Sequence, residues 1–115
     1  MEMEDTIVCG MTLKERRSII DAIGKLSDEY CVEPILIGSQ SESVAYAPAI
    51  IGLTDDYHNI IYDKDILINC FMDADNMTED EAIEWVEYNV IRSIPYQGVN
   101  APIIIQCIDK VVNMY

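Results

Sequence analysis

Two Thr-x-x-Glu sequences determine where helices can begin in this chain. Glu15 follows Thr12 by three positions, and Glu81 follows Thr78 at the same spacing. In this arrangement, called a capping box, each side chain satisfies a backbone N–H group that the first helical turn leaves without a partner. Apolar residues recur at helical spacing after each threonine, so we expect a helix to begin at both places.

The remaining apolar pattern divides into one more helix and several short β-rich runs. We expect the first capped helix to cover residues 12–30 and the other to run from 78 to about 93, with Pro95 ending it. Between them, Asp63 can cap a third helix that ends near Asn76. Three helices are therefore predicted.

Three further segments have the composition of β-structure. Residues 48–63 place two β-rich runs on either side of a polar centre, which predicts a hairpin. Residues 35–38 read as a short strand after Pro34, and residues 103–108 read as a central strand buried on both faces. This order predicts an α+β fold: a small mixed or antiparallel sheet of three to four strands, including the hairpin, with about three helices packed on it.

The length of the chain is that of one domain. We expect residues 1–115 to form a single domain that begins with an acidic, flexible N-terminus over residues 1–8. The apolar runs fall far below the roughly 18 to 20 residues of a membrane span. The acidic start also lacks the basic and apolar regions of a secretory leader. These features predict a cytoplasmic protein without a membrane partner.

The cysteines show no pattern of metal or redox chemistry. They stand at positions 9, 31, 70 and 107, with neither a Cys-x-x-Cys pair nor the spacing of a zinc site. Cys31, Cys70 and Cys107 have apolar neighbours in the sequence, which is typical of buried thiols. We therefore expect free cysteines, with these three buried.

Acidic residues outnumber basic residues by 21 to 7, which gives a net charge of −14. This charge disfavours direct binding to nucleic acid, because such binding requires basic groups that neutralise phosphates. Residues 55–87 contain eleven acids and one base, Lys64, so we expect one strongly negative surface. That surface serves solubility alone, or it binds a partner with a basic surface. The candidate partner-binding residues are Asp55, Asp56, Asp73, Asp75, Glu79, Asp80, Glu84 and Glu87.

No catalytic motif is present in the sequence. It has no glycine-rich phosphate loop, no Gly-x-Ser-x-Gly and no His-Glu-x-x-His, and its single histidine, His58, lies in a polar turn of the predicted hairpin. Residues 73–84 place acids at positions 1, 3 and 12 of an EF-hand loop. However, Met77 and Thr78 occupy the positions that require an oxygen ligand and a glycine. We therefore predict no enzyme activity, no metal and no cofactor.

A set of polar side chains lies near the end of the last predicted helix. Glu84, Tyr88 and Arg92 are four residues apart, so on a helix Glu84 and Arg92 can bracket the Tyr88 ring. Two interpretations remain open. In the first, Arg92 and Asn89 only stabilise the helix end and the turn after it. In the second, Asn89, Arg92 and Tyr96 form a small recognition pocket.

Residues 77–105 also contain a sequence motif. It begins with an acidic helix start and continues with Ala-Ile-Glu, Tyr-Asn, an arginine and Pro-Tyr-x-Gly-x-x-Ala-Pro-Ile. Its residues in this chain are Ala82, Ile83, Glu84, Tyr88, Asn89, Arg92, Pro95, Tyr96, Gly98, Ala101, Pro102 and Ile103. This motif resembles a family of small, uncharacterised acidic proteins encoded by bacterial viruses and mobile elements, and the likeness covers about residues 46–105. The resemblance implies a setting and assigns no activity or catalytic residue.

Charge and setting together lead to two functional hypotheses. The first is a non-enzymatic acidic binding protein, an accessory factor of a phage or mobile element. It would inhibit a host protein with a basic surface, such as a defence nuclease, in the manner of an anti-CRISPR or a nucleic-acid mimic. The alternative is a homodimeric accessory module that binds a peptide or small ligand through residues 88–98.

Overall fold

The structure, a computed structural model, describes residues 7–38 and 42–115. Four α-helices, shorter 3₁₀ and π turns and three strands occur within these ranges. In chain order they are α1 (Leu13–Tyr30), a 3₁₀ helix (Ser43–Ala49), β1 (Ile50–Leu53), β2 (Ile60–Asp63), α2 (Lys64–Asp75), α3 (Glu79–Trp85), a π turn (Val86–Val90), a second 3₁₀ helix (Ile91–Tyr96), β3 (Ile103–Ile105) and α4 (Ile108–Met114).

Both predicted capping boxes are confirmed. The Thr12 hydroxyl accepts from the Glu15 N–H at 3.1 Å, and the Glu15 carboxylate accepts from the Thr12 N–H at 3.0 Å. Thr78 and Glu81 repeat this exchange at 3.2 and 3.0 Å at the start of α3. Local sequence is enough to start these helices, because the partners that satisfy the first turn lie within it.

The bounds of α2 also agree with the prediction. The Asp63 carboxylate accepts from the N–H of Ile66 at 3.0 Å, as an N-cap does. Asn76 ends the helix in the left-handed conformation, with φ at 55°. Asparagine tolerates this conformation better than most residues, which explains why the helix stops there.

The three strands of the described chain form one mixed sheet in the order β1, β2, β3. β1 and β2 form the predicted antiparallel hairpin, with a register shift between Ile50 and Gly52, and β3 pairs with β2 in parallel. The α+β fold class is therefore confirmed. β3 is nevertheless an edge strand, and Ile103 is 38% exposed. The prediction of a central strand over 103–108, buried on both faces, is wrong because the strand has one neighbour and ends at Ile105.

Two other β and helix predictions require correction. Residues 35–38 form no strand, since the N–H of Ile35 bonds to the carbonyl of Asn100 at 3.1 Å and that of Ile37 bonds to the Tyr62 hydroxyl at 3.0 Å. A side-chain hydroxyl cannot continue a ladder. The predicted helix over 78–93 changes to a π turn after Trp85 and then to a 3₁₀ helix that contains Pro95.

The hydrophobic core lies between the sheet and the helices. α2 packs against β2, α3 and the first 3₁₀ helix, and α1 packs against the same 3₁₀ helix. The large buried side chains of the core include Ile23, Tyr46, Ile60, Tyr62, Leu67 and Phe71. Val8 is also buried in this core, so the predicted flexible N-terminus does not extend to Val8. Residues 1–6 of that prediction lie outside the described residues.

The cysteines are free thiols, but they differ in burial. Cys70 is buried in α2, as predicted, and Cys9 is half-buried with its Sγ 3.6 Å from that of Cys70. Cys31 and Cys107 are exposed, so their predicted burial is wrong. Cys31 takes a left-handed conformation just after α1, and Cys107 lies between β3 and α4, so both occur where the chain leaves a packed element.

Candidate functional site

The predicted partner-binding acids are mostly on the surface. Asp55 and Asp56 lie in the hairpin turn, Asp73 and Asp75 in the last turn of α2, and the others in α3 and the π turn. Seven of the eight are exposed and Glu87 is half-buried; the exposed ones are Asp55, Asp56, Asp73, Asp75, Glu79, Asp80 and Glu84.

Several of these carboxylates have a structural role. Asp73 accepts from the N–H of Cys9 at 2.9 Å, and Asp56 accepts from the hydroxyl of Thr54 at 2.8 Å within its own turn. Glu87 forms an ion pair with Lys64, which joins the π turn to the start of α2. These acids therefore help to stabilise the fold, and of the three only Glu87 has its charge offset by a base among the described residues.

The acids of α3 are different. Within the described ranges, the side chains of Glu79, Asp80 and Glu84 form no hydrogen bond or ion pair with another residue. Glu79 and Asp80 lie with Glu81 in the first turn of α3, where the positive end of the helix dipole stabilises their negative charge. Of the predicted partner-binding acids, those whose side chains form no such contact in the described part of the chain are therefore these three of α3 and Asp55 in the hairpin turn.

A groove of about 580 Å³ runs along this side of α3. The guanidinium of Arg92 lies 5.1 Å from the centre of the Tyr88 ring, a cation–π contact that holds the two side chains together. The sequence predicted that Glu84 and Arg92 would lie on either side of the Tyr88 ring, and this contact agrees with that prediction for Arg92. We call this surface the α3 groove; it is lined by Asp80, Ile83, Glu84, Glu87, Tyr88, Ile91 and Arg92.

A second concavity, of about 460 Å³, opens on the other side of the same segment. Asn89 lines it together with Trp85, Ser93 and Gln97, each four residues from the next. Residues four apart on an α-helix drift by roughly 40° around the axis. The π turn has more residues per turn, which counters this drift between Trp85 and Asn89, and Ser93 and Gln97 reach the same concavity from the 3₁₀ helix and its end. This spacing is the sequence signal that our prediction missed.

The structure therefore divides the predicted recognition residues. Tyr88 and Arg92 line the α3 groove, whereas Asn89 lines the second concavity. Tyr96 is 90% exposed and lines neither of them. Asn89, Arg92 and Tyr96 are not brought together as one pocket, because the segment changes from a π turn to a 3₁₀ helix between Asn89 and Arg92, so the α-helical spacing does not hold there.

The inner wall of the second concavity is aromatic. The rings of Tyr46 and Phe71 are stacked with centroids 4.4 Å apart and planes at 29°. Phe71 in turn contacts Trp85, with centroids 6.5 Å apart and planes tilted by 48°. We call this concavity the aromatic cavity. Its polar side chains include Glu42, Asp75, Asn89, Ser93 and Gln97.

Hydrogen bonds hold the polar wall in place. The Tyr46 hydroxyl donates to the Asp75 carboxylate at 3.0 Å. Burial, and then the charge of Asp75, raise the pKa of Tyr46, so this hydroxyl remains a donor at neutral pH. On the opposite wall, the Gln97 amide donates to the Ser93 hydroxyl at 2.9 Å, which donates to the carbonyl of Val90 at 2.8 Å.

The wall formed by residues 36–38 is held by two contacts. The buried Tyr62 hydroxyl accepts from the Ile37 N–H at 3.0 Å, and burial raises the pKa of Tyr62 to about 12. Gly38 has φ at 89°, and a Cβ at this position would lie 3.0 Å from the Tyr46 ring. Glycine is required here because the backbone is left-handed and passes close to the ring.

The packed thiols Cys9 and Cys70 are unreactive, and the histidine lies on the surface. Burial raises the pKa of Cys9 and of Cys70, so both thiols stay protonated and unreactive at neutral pH. His58 is exposed in the hairpin turn, where its backbone N–H donates to Asp56 at 3.1 Å. Among the residues that the structure describes, no group of three or more His, Cys, Asp and Glu side chains is arranged to hold a metal ion.

Every helix in the described part of the chain is too short or too polar to cross a membrane. The chain matches no protein-family model, no curated protein and no solved structure. Evidence on function therefore comes from the α3 groove, the aromatic cavity and the sequence itself.

Proposed function

We propose that this protein is a non-enzymatic acidic binding protein that presents the α3 groove to a partner with a basic surface. The observation that supports the proposal is the set of free carboxylates of Glu79, Asp80 and Glu84 beside two exposed apolar side chains. Ile83 is 37% exposed and Tyr88 is 59% exposed. Carboxylates attract basic side chains, and the apolar groups provide area that a bound partner removes from water.

The physical role of the charge is to steer association. A net charge of −14 raises the rate at which a basic protein meets this surface, and salt weakens that attraction within a Debye length of roughly 8 to 10 Å. Lysine and arginine also pack their apolar stems against neighbouring side chains while their charged ends meet carboxylates. Tyr88 is an anchor of the type that dominates binding energy in interfaces.

The partner in this proposal is a host protein whose basic surface accepts nucleic acid, such as a defence nuclease. Nucleic-acid channels are basic because they neutralise phosphates, so an acidic protein can occupy them and inhibit the enzyme. The proposal places the protein in the cytoplasm as an accessory factor of a phage or mobile element, the setting implied by the resemblance of residues 77–105.

A capture experiment with matched charge variants tests this function. The triple variant Glu79→Gln, Asp80→Asn, Glu84→Gln removes three charges from α3. The control Asp21→Asn, Asp28→Asn, Glu29→Gln removes three exposed charges from α1. We expect partner capture from host extract to fall sharply for the α3 variant, to persist for the α1 variant, and to be competed by heparin and by salt. Equal capture by both variants, with unchanged melting, would refute the proposal.

A second candidate function follows from the aromatic cavity. Its volume of about 460 Å³ lies within the range of roughly 300 to 1,000 Å³ found for small-molecule sites. Apolar walls with a few convergent polar groups are also typical of such sites. Asn89, Ser93 and Gln97 supply part of that polar set, which favours a ligand-binding module that uses residues 88–98. Titration of small ligands against Trp85 fluorescence tests this candidate.

A further inference from the structure

The aromatic cavity has a charge pattern that selects one class of ligand. The Asp75 carboxylate lines it, and its hydrogen-bond partner there is the neutral Tyr46 hydroxyl. Of the described residues around the cavity, none is lysine, arginine or histidine. A ligand that enters therefore meets the negative charge of Asp75, so anions are disfavoured and cations are favoured.

The walls suit an organic cation better than a bare metal ion. Tyr46, Phe71 and Trp85 line the cavity, and aromatic rings attract ammonium groups through their negative faces, most strongly at tryptophan. Met77 adds a polarizable thioether to the same lining. Hard metal ions instead require several oxygen ligands around one point, and the described residues provide no such group.

We propose that the aromatic cavity binds a small alkylammonium ion, with its charged group near Asp75 and its alkyl groups against Trp85 and Phe71. This inference rests on the ligand-binding candidate above and specifies its ligand class. Asp75 is held in place for this role, because it accepts from the Tyr46 hydroxyl at 3.0 Å. The site is distinct from the α3 groove, which is lined by Tyr88 and Arg92 on the neighbouring stripe.

Trp85 provides a direct readout, since it is the single tryptophan of the chain and lines the cavity. The probes are choline, n-butylammonium, 3,3-dimethylbutan-1-ol and 3,3-dimethylbutyrate. The alcohol is the neutral carbon isostere of choline, and the carboxylate is an anion of similar size. We expect the two cations to change Trp85 fluorescence with saturation, and we expect choline to bind at least about tenfold more tightly than the alcohol.

Matched variants locate the site. Asp75→Asn keeps an acceptor for Tyr46 but removes the charge, and we expect it to weaken choline binding about tenfold. Asp80→Asn removes the same charge from the α3 groove and should change choline binding by less than about twofold, because salt screens distant surface charges. For the Trp85 variants, choline binding is measured by calorimetry. We expect Trp85→Leu to abolish it and Trp85→Phe, which keeps an aromatic ring, to retain part of it. Thermal melts of all four variants confirm that they fold.

The possible outcomes separate the two ideas. If the alcohol or the carboxylate binds as well as choline, the cation inference is wrong while the ligand-binding candidate stands. If none of the four probes binds at millimolar concentration, both are wrong. If Asp75→Asn and Asp80→Asn weaken choline binding equally, the cation is attracted by net charge alone and the assignment to the aromatic cavity is overturned.

Discussion

The α3 groove and the aromatic cavity use adjacent stripes of one segment, yet they are built differently. Glu84, Tyr88 and Arg92 face the groove, and all of its lining residues lie between 80 and 92. The next stripe, which begins one position later at Trp85, faces the cavity. The cavity is also lined by residues 36–38, Glu42 and Tyr46, and by Phe71, Asp75 and Met77. A one-residue offset therefore separates a surface made by one helical segment from a site that depends on the tertiary fold.

The largest expected effect is on core packing. Phe71→Ala removes a buried ring that contacts both Tyr46 and Trp85, so we expect it to lower the free energy of unfolding by about 3 to 5 kcal/mol and to destroy the cavity wall. Tyr88→Ala is the control from the groove, where we expect a loss below about 1 kcal/mol. Urea denaturation followed by circular dichroism measures both. Similar losses would show that the groove is as dependent on the core as the cavity.

A smaller effect is expected for the hydrogen bond between Tyr46 and Asp75. A double-mutant cycle with Tyr46→Phe and Asp75→Ala should give a coupling free energy of about 1 kcal/mol, because the bond is charge-assisted but partly open to water. Denaturant midpoints of the four proteins provide the measurement. A coupling near zero would mean that this bond does not hold the cavity wall.

The corresponding contact in the groove should be weaker. A cycle with Tyr88→Leu and Arg92→Met, which keeps most of the arginine stem, should give about 0.5 kcal/mol, since both residues are exposed. If the coupling of Tyr88 with Arg92 exceeds that of Tyr46 with Asp75, the groove is the more rigid of the two surfaces. That order would reverse the comparison.

The smallest effect concerns the start of α3. Hydrogen bonds from Thr78 lower the pKa of Glu81 in the folded state below its ordinary value of 4.5. The ionised Glu81 side chain therefore stabilises the fold at pH values above that ordinary pKa. This stability is lost as the pH falls through the lowered folded pKa. Glu81→Gln keeps the capping geometry without the charge. We expect its melting temperature to fall less between pH 7 and pH 3 than that of the unaltered protein. Glu84→Gln, which has no capping role, is the control, and an equal change in both variants would contradict this account.

The features that could be predicted from the sequence are those whose physical cause is local. Thr12 and Thr78 bond to residues three positions away, Asp63 caps a helix that begins at the next residue, and the hairpin joins neighbouring runs. The exposed acids of α3 were also predictable, because a polar helix start remains in water.

Other features were missed because their partners are distant. β3 is parallel to β2 and lies about forty positions away, so its place at the edge cannot be read from the apolar run Ile103–Ile105. Residues 35–38 have β-rich composition but bond to Tyr62 and Asn100. Cys31 has apolar neighbours in sequence but lies past the end of α1, in water.

The sequence by itself determined the starts of α1, α2 and α3, the hairpin, the α+β class and the negative charge of α3, since each depends on contacts or solvation within a few residues. Only the tertiary structure decided which side chains share a cavity. The first 3₁₀ helix carries Tyr46, α2 carries Phe71 and Asp75, and α3 carries Trp85. These residues meet because burying the apolar faces of three separate elements against one sheet is favourable, and that gain depends on the whole fold.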